Sequence, residues 1–213
     1  AGVDSSRDSQ GFLMNRQRTT NSLNLYNNNG MADGDWTHAL VPSSGDDALA
    51  FVGVGDAFSV SCWIKARHLA STNQMIISRN DNTDGWRIMI DTANKIQFNT
   101  EDSTAGVQTA KTDSAISVDT WYHLVGTFDG DPGNGGNGVL KLYLNGSNSG
   151  ITNDTNAVDM DASSSKDHVY IGMHQSSNSE GFFGEIDDIA IYNDVLELAE
   201  VTRNYNAGKR SHR

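Results

Sequence analysis

Four stretches of this chain constrain its fold more than anything else: Phe58-Ser-Val-Ser-Cys-Trp-Ile-Lys65, Trp121-Tyr-His-Leu-Val-Gly-Thr-Phe-Asp129, Leu140-Lys-Leu-Tyr-Leu-Asn-Gly146 and Phe183-Gly-Glu-Ile-Asp-Asp-Ile-Ala-Ile-Tyr192. Each sets apolar side chains at alternate positions, the period of a strand with one buried face, and Gly, Asn, Asp and Ser fill the intervals. The pattern predicts an all-β chain built as a sandwich.

A chain of 213 residues can bury a sizeable core in one domain without covalent staples. Cys62 is the single cysteine, so no intrachain disulfide forms, and its phase with Phe58 and Val60 makes it a small buried hydrophobe. With 27 acidic and 15 basic side chains the net charge is -12. That argues against nucleic-acid binding, which rests on Lys and Arg, and suits solubility, cation binding or neutral sugars. The ends differ from the body: Arg7, Arg16 and Arg18 outnumber Asp4 and Asp8, and Arg203, Lys209, Arg210 and Arg213 close the chain with no acidic neighbour. Such ends suit docking on an acidic partner subunit or simple solvation. The N-terminus has no stretch like a signal peptide, and no apolar run approaches the roughly 20 residues that cross a bilayer, so no membrane insertion is expected.

Three segments are expected: an N-terminal arm over 1–20, a sandwich over 21–208 and a basic tail over 209–213. Strands are predicted at 22–26, 38–41, 49–52, 58–65, 75–79, 86–91, 96–100, 107–109, 123–128, 139–145, 169–173 and 183–192, and the spacing of the four blocks from 58 to 100 favours an antiparallel meander. Asn145-Gly146 predicts a two-residue hairpin, since both residues tolerate positive φ. Residues 129–138 and 153–167 read as long exposed loops, where binding usually sits. One short helix is expected at the end, with Asp194 as N-cap, Glu197 three positions on, an apolar stripe of Leu196, Ala199 and Val201, and Ala207-Gly208 closing one or two turns.

Taken in order, Phe58 to Lys65, Ile76-Ile-Ser-Arg79, Thr120-Trp-Tyr-His-Leu-Val125, Leu142-Tyr-Leu-Asn-Gly146 and Gly184 to Tyr192 followed by Leu196 and Glu200 resemble the laminin G-like branch of the concanavalin A-like lectin/glucanase superfamily. The resemblance covers about residues 21–208. It implies a two-sheet antiparallel jelly-roll β-sandwich with a short C-terminal helix and an extended N-terminal arm, and it leaves function open, because the family includes adhesion modules, glycan-binding modules, enzyme-attached modules and virion surface proteins.

Glu185 and Asp187 have the two-residue spacing by which glucanases of the superfamily set two carboxylates on one strand face, but Ile189 or Ala190 stands where a third acid is needed. The expectation is therefore not an enzyme, with no catalytic residue. No cofactor is required, and Ca2+ is a candidate ligand for Asn27, Asp187 and Asp188, with Asp129 and Asp131 or Asp81 and Asp84 as further oxygen pairs. The relatives' turn carries an Asp where Asn27 stands here. His38, His68, His123, His168, His174 and His212 lack zinc-site spacing, and His123 reads as packed and hydrogen-bonded. Trp63, Trp121 and Trp86 read as core. Trp36, Asp131, Asn134, Asn178 and Phe182 are the candidate glycan contacts, aromatic faces and loop polar groups being what a sugar needs. Arg7, Phe12, Leu13, Arg16, Arg18, Arg210 and Arg213 are the candidate assembly contacts. The leading expectation is a structural or interaction protein on a virion, such as a bacteriophage capsid decoration or tail-associated protein, with capsid subunits, a homo-oligomer or a surface polysaccharide as partners. The second is a free glycan-binding lectin module, extracellular if the chain is a processed product.

Overall fold

A computed structural model describes residues 23–25, 38–42, 49, 55–80, 84–103, 105–130, 138–157, 168–174 and 180–213. Among these described residues thirteen strands and one helix follow in chain order: β1 Leu23–Leu25, β2 Ala39–Pro42, β3 Ala57–Ala66, β4 Gln74–Asn80, β5 Gly85–Ile90, β6 Ile96–Asp102, β7 Gly106–Thr112, β8 Trp121–Asp129, β9 Gly138–Leu144, β10 Ile151–Thr152, β11 Asp154–Ala157, β12 His168–Ile171, β13 Gly184–Tyr192 and α1 Leu198–Gly208. One sheet has the order β1-β13-β3-β8-β9-β11 and the other β10-β7-β6-β5-β4-β12-β2. All pairings between these strands are antiparallel.

The expected jelly roll is present, and the meander holds from β4 onward but is corrected at its first step, β3 to β4, which lie in different sheets. Strands β4 to β7 pair consecutively, as do β8 and β9, but β3 lies between β13 and β8, and the chain crosses from it to the other sheet before β4. Local alternation cannot encode this choice, because it says which face is buried and not which strand lies alongside. Two short strands, β10 and β11, are additional, and β11 occupies the start of the segment read as a polar loop. The strand expected at 49–52 lies outside the described residues except Leu49, which sits in a turn.

The core forms where the two inner faces meet. From β3 come Phe58, Val60, Cys62 and Ile64, from β5 Trp86, Ile88 and Ile90, from β6 Ile96 and Phe98, from β8 Leu124 and Phe128, and from β9 Leu140 and Leu142, all essentially without solvent contact. Burial pushes the Cys62 thiol up to about 12, so it behaves as the hydrophobe its phase implied. At the centre Phe58 meets Trp86 at 5.6 Å, Phe98 at 6.0 Å and Phe128 at 5.7 Å between ring centroids. Phe98 fits only because its neighbour across the core is Gly126: a Cβ there would lie 2.6 Å from Phe98 Cγ. Gly126→Ala should therefore cost about 1–3 kcal/mol through overpacking, read as a fall in urea midpoint at unchanged m-value.

The hairpin at Asn145-Gly146 is confirmed, with φ of 54° and 79° and paired Leu144 and Ser147 backbone groups. The helix start is corrected. Glu197, not Asp194, is the N-cap, forming a capping box with Glu200, and the helix runs 11 residues, about three turns. Asp194 lies in the preceding turn, where its carbonyl accepts from the Ser59 hydroxyl at 2.7 Å and Leu196 N–H donates to the same hydroxyl at 2.8 Å. Gly208 is the last helical residue and has an ordinary helical backbone; Lys209 caps the helix.

Candidate functional site at the C-terminal segment

The outward-facing residues of β3 decide where a site can form. Ser59, Ser61 and Trp63 alternate with the core residues and should meet solvent, yet each is buried. The cover is α1 and the residues after it: Val201 and Leu196 pack with Val125, Tyr143 and Tyr192 as a second small core on the outer face. Further along the same face, the Tyr205 ring stacks on Trp63 at 5.6 Å and 22°. Gly208 lies so close to Trp63 that a Cβ would be 2.6 Å from its indole nitrogen. That approach brings the chain back onto the sheet.

The tail expected at 209–213 is thereby fastened. Ser211 N–H donates to the Gly208 carbonyl at 2.9 Å, a turn that carries His212 back over Trp63. The two rings are parallel within 5° at 4.2 Å, and the edge of Trp121 closes the side at 4.6 Å and 76°. His212 Nδ1 lies 2.9 Å from the Gly208 carbonyl and Nε2 lies 3.2 Å from Asp187 Oδ2. Both neighbours are acceptors, so only the doubly protonated ring satisfies both. Burial lowers the His212 pKa, but the Asp187 hydrogen bond, the Gly208 carbonyl and the charges of Asp187 and Asp188 outweigh it and raise the value. The His212 hydrogen bond in turn holds the Asp187 carboxyl below its ordinary range, against the opposing effect of burial. His123, beneath, goes the other way: burial and then the His212 charge bring it down to about 4, so it is neutral at neutral pH, with Nε2 3.2 Å from the Ser61 hydroxyl. It is the packed, hydrogen-bonded histidine expected.

Strand β13 supplies the acids. Glu185 pairs with Lys65 and Asp187 with Trp63 across the β3 ladder, which puts both carboxylates on the outer face. Between Asp187 and Ala190 the register shifts, with Asp188 at φ 48°. This bulge absorbs one residue, so Ile186 before it and Ile189 and Ile191 after it all reach the core. The Asp-Asp step is thus a structural device. Burial and the Asp187 charge raise the Asp188 carboxyl.

A pocket of about 180 Å³ opens beside these groups, lined by Lys65, Trp121, Glu185, Asp187, Ser211, His212 and Arg213. Lys65 Nζ lies 2.9 Å from Glu185 Oε1 and 4.8 Å from the Trp121 ring centroid. Arg67 bridges Asp119, at 2.6 Å, and Glu185. The pocket therefore offers an indole surface, both signs of charge and a hydroxyl within a small concavity.

The candidate contacts are placed as follows. Trp121, read as core, is half-buried and lines the pocket. Phe182, proposed as an exposed sugar contact, is corrected: it is 1% exposed, in the main core beneath Gly184. Of the candidate calcium ligands, Asp187 is held by His212 through Oδ2, and Asp188 sits at the bulge with φ 48°. Among the described residues no three His, Cys, Asp or Glu side chains gather as metal ligands. Arg210 and Arg213 are exposed, on a segment folded against its own sheet. Trp36, Asp131, Asn134, Asn178, Asn27, Arg7, Phe12, Leu13, Arg16 and Arg18 lie outside the described residues. Sequence reasoning missed Lys65, His212 and the site role of Trp121; the phase of Lys65 opposite Glu185 was the one signal available.

Fold and site together define a jelly-roll lectin-like domain, and the comparisons agree. The model of a family in the concanavalin A-like lectin/glucanases superfamily matches residues 43–202, and the chain belongs to that family. No curated protein matches it. Among solved structures it is similar to the receptor-binding domain of botulinum neurotoxin C/D mosaic serotype, with TM-score 0.60 and 17% identity over 87% of this chain and 45% of that one. It is similar to a protein of Bacteroides ovatus ATCC 8483 named as a candidate carbohydrate-binding protein, with TM-score 0.60 and 15% identity over 84% and 45%. A third, of botulinum neurotoxin type C, whose cell entry depends on two ganglioside molecules, gives TM-score 0.58 and 16% identity over 83% and 41%. The chain spans less than half of each, and at these identities the likeness is one of fold.

Proposed function

We propose that this chain is a non-enzymatic carbohydrate-binding module that holds a sugar in the pocket at Trp121. The observation that carries the reading is the lining itself: an indole beside ion-paired carboxylates and cations in a shallow pocket, the combination that packs on a pyranose and bonds its hydroxyls. The solved relatives named for carbohydrate or ganglioside interaction support it in general terms.

The same geometry speaks against glycoside hydrolysis by Glu185 and Asp187. A general acid must keep its proton near neutral pH, whereas the His212 bond holds Asp187 ionised and two cations clasp Glu185. The virion placement draws no support from the comparisons, and the residues after α1 that were to anchor it lie on their own sheet. A glycan array probed with and without chelator tests the proposal. Binding is expected in both conditions, and Trp121→Ala should weaken it at least tenfold, a loss of about 1.4 kcal/mol; silence across the array overturns the reading.

A further inference from the structure

We infer that the pocket selects a sugar bearing a carboxylate, an inference that rests on the carbohydrate-binding reading above. The whole chain carries -12, yet Lys65, Arg67, Lys209, Arg210 and Arg213 all stand at this end of the outer face or on the segment folded over it. The charges within the pocket are unevenly committed. Glu185 is held by Lys65 and Arg67, and Asp187 by His212. Arg213 lines the pocket, is exposed, and forms no ion pair among the described residues. Among the side chains lining the pocket, Arg213 is therefore the charged one that no neighbouring side chain holds.

A neutral sugar must insert its hydroxyls among ion pairs that are already made. A carboxylate instead meets the Arg213 guanidinium, whose planar fork accepts it through two parallel N–H···O bonds. Ser211 supplies a hydroxyl at the same wall and Trp121 the apolar surface for the ring. Size limits the ligand: about 180 Å³ is below the roughly 300–1,000 Å³ of pockets for drug-sized molecules, which suits one sugar ring. The acidic body repels a long polyanion, so a single acidic residue, terminal or isolated in a neutral chain, is the class that fits both the local and the global charge.

The test is a matched pair, methyl β-D-glucuronide and methyl β-D-glucoside, titrated into the full chain and followed calorimetrically. The glucuronide is expected to bind about tenfold or more tightly, with the preference shrinking as salt rises. Arg213→Gln should abolish the preference, and Arg203→Gln, on the exposed side of α1, should leave it unchanged; circular dichroism confirms that both variants fold. Equal or tighter binding of the glucoside, lost in Trp121→Ala, overturns the inference and leaves the carbohydrate reading standing. Sodium acetate binding as tightly as the glucuronide also overturns it, as an anion site without sugar selection. No binding of either glycoside, together with a silent array, removes both.

Discussion

Phe58→Ala is expected to destabilise the fold by about 3–5 kcal/mol, a large part of the roughly 5–15 kcal/mol that holds a typical domain together. Phe58 has no solvent contact and touches three other aromatic rings, two of them on the opposite sheet. It also sits on β3, the strand paired to both β13 and β8, so relaxation into the cavity would have to move the middle of a sheet. Removing the ring loses its transfer free energy and leaves a void among Trp86, Phe98 and Phe128 that cannot collapse. Urea unfolding with intrinsic tryptophan fluorescence measures it. A loss under about 1 kcal/mol would mean that the four rings do not form the core described here.

The second large effect is a pH-dependent release of residues 209–213. His212 is raised above its ordinary value near 6.5, so its contribution is complete below about 6.5 and is lost as pH rises through the raised value. Asp187 is lowered, so its contribution is complete above about 4 and is lost as pH falls through the lowered value. The contact of His212 with Asp187 is therefore strongest between about pH 4 and 6.5 and loosens on the alkaline side. His123 has the opposite sign: it must stay neutral when buried, so its contribution is complete above about 6.5 and erodes as pH falls towards 4. Global stability combines the two and is blunted; a local probe separates them. Hydrogen exchange of the backbone amides at 209–213 should quicken beyond its intrinsic pH dependence above neutrality, and Asp187→Asn should remove the excess by loosening the segment at every pH. A segment equally protected at pH 5.5 and 9 would contradict the arrangement.

The strand blocks were legible because burial on one face of a pleated strand writes a period of two directly into the residues. Asn145-Gly146 was legible because a backbone with two consecutive positive φ angles admits few residue types. Asp194 as N-cap was not, because the Ser59 hydroxyl, 135 positions away, takes its carbonyl and shifts the helix start to Glu197. Phe182 fails for the same reason: its place depends on Gly184 standing where a Cβ would meet both the Lys65 carbonyl and its ring. Of the site, Glu185 and Asp187 were identifiable as a pair on one face, but their chemistry was not.

By itself, the sequence determined the class of fold, the inner face of most strands, the hairpin and the buried, inert state of Cys62, since each is a local pattern or follows from burial alone. Only the tertiary structure decided that β3 is covered on both faces, that Trp121 lines a pocket, and that the last residues return to the sheet. Those outcomes depend on residues distant in the chain meeting in space: His212 reads as one more tail residue until Trp63, Trp121 and Asp187 surround it, and Glu185 reads as one acid on a strand face until Lys65 and Arg67 pair with it.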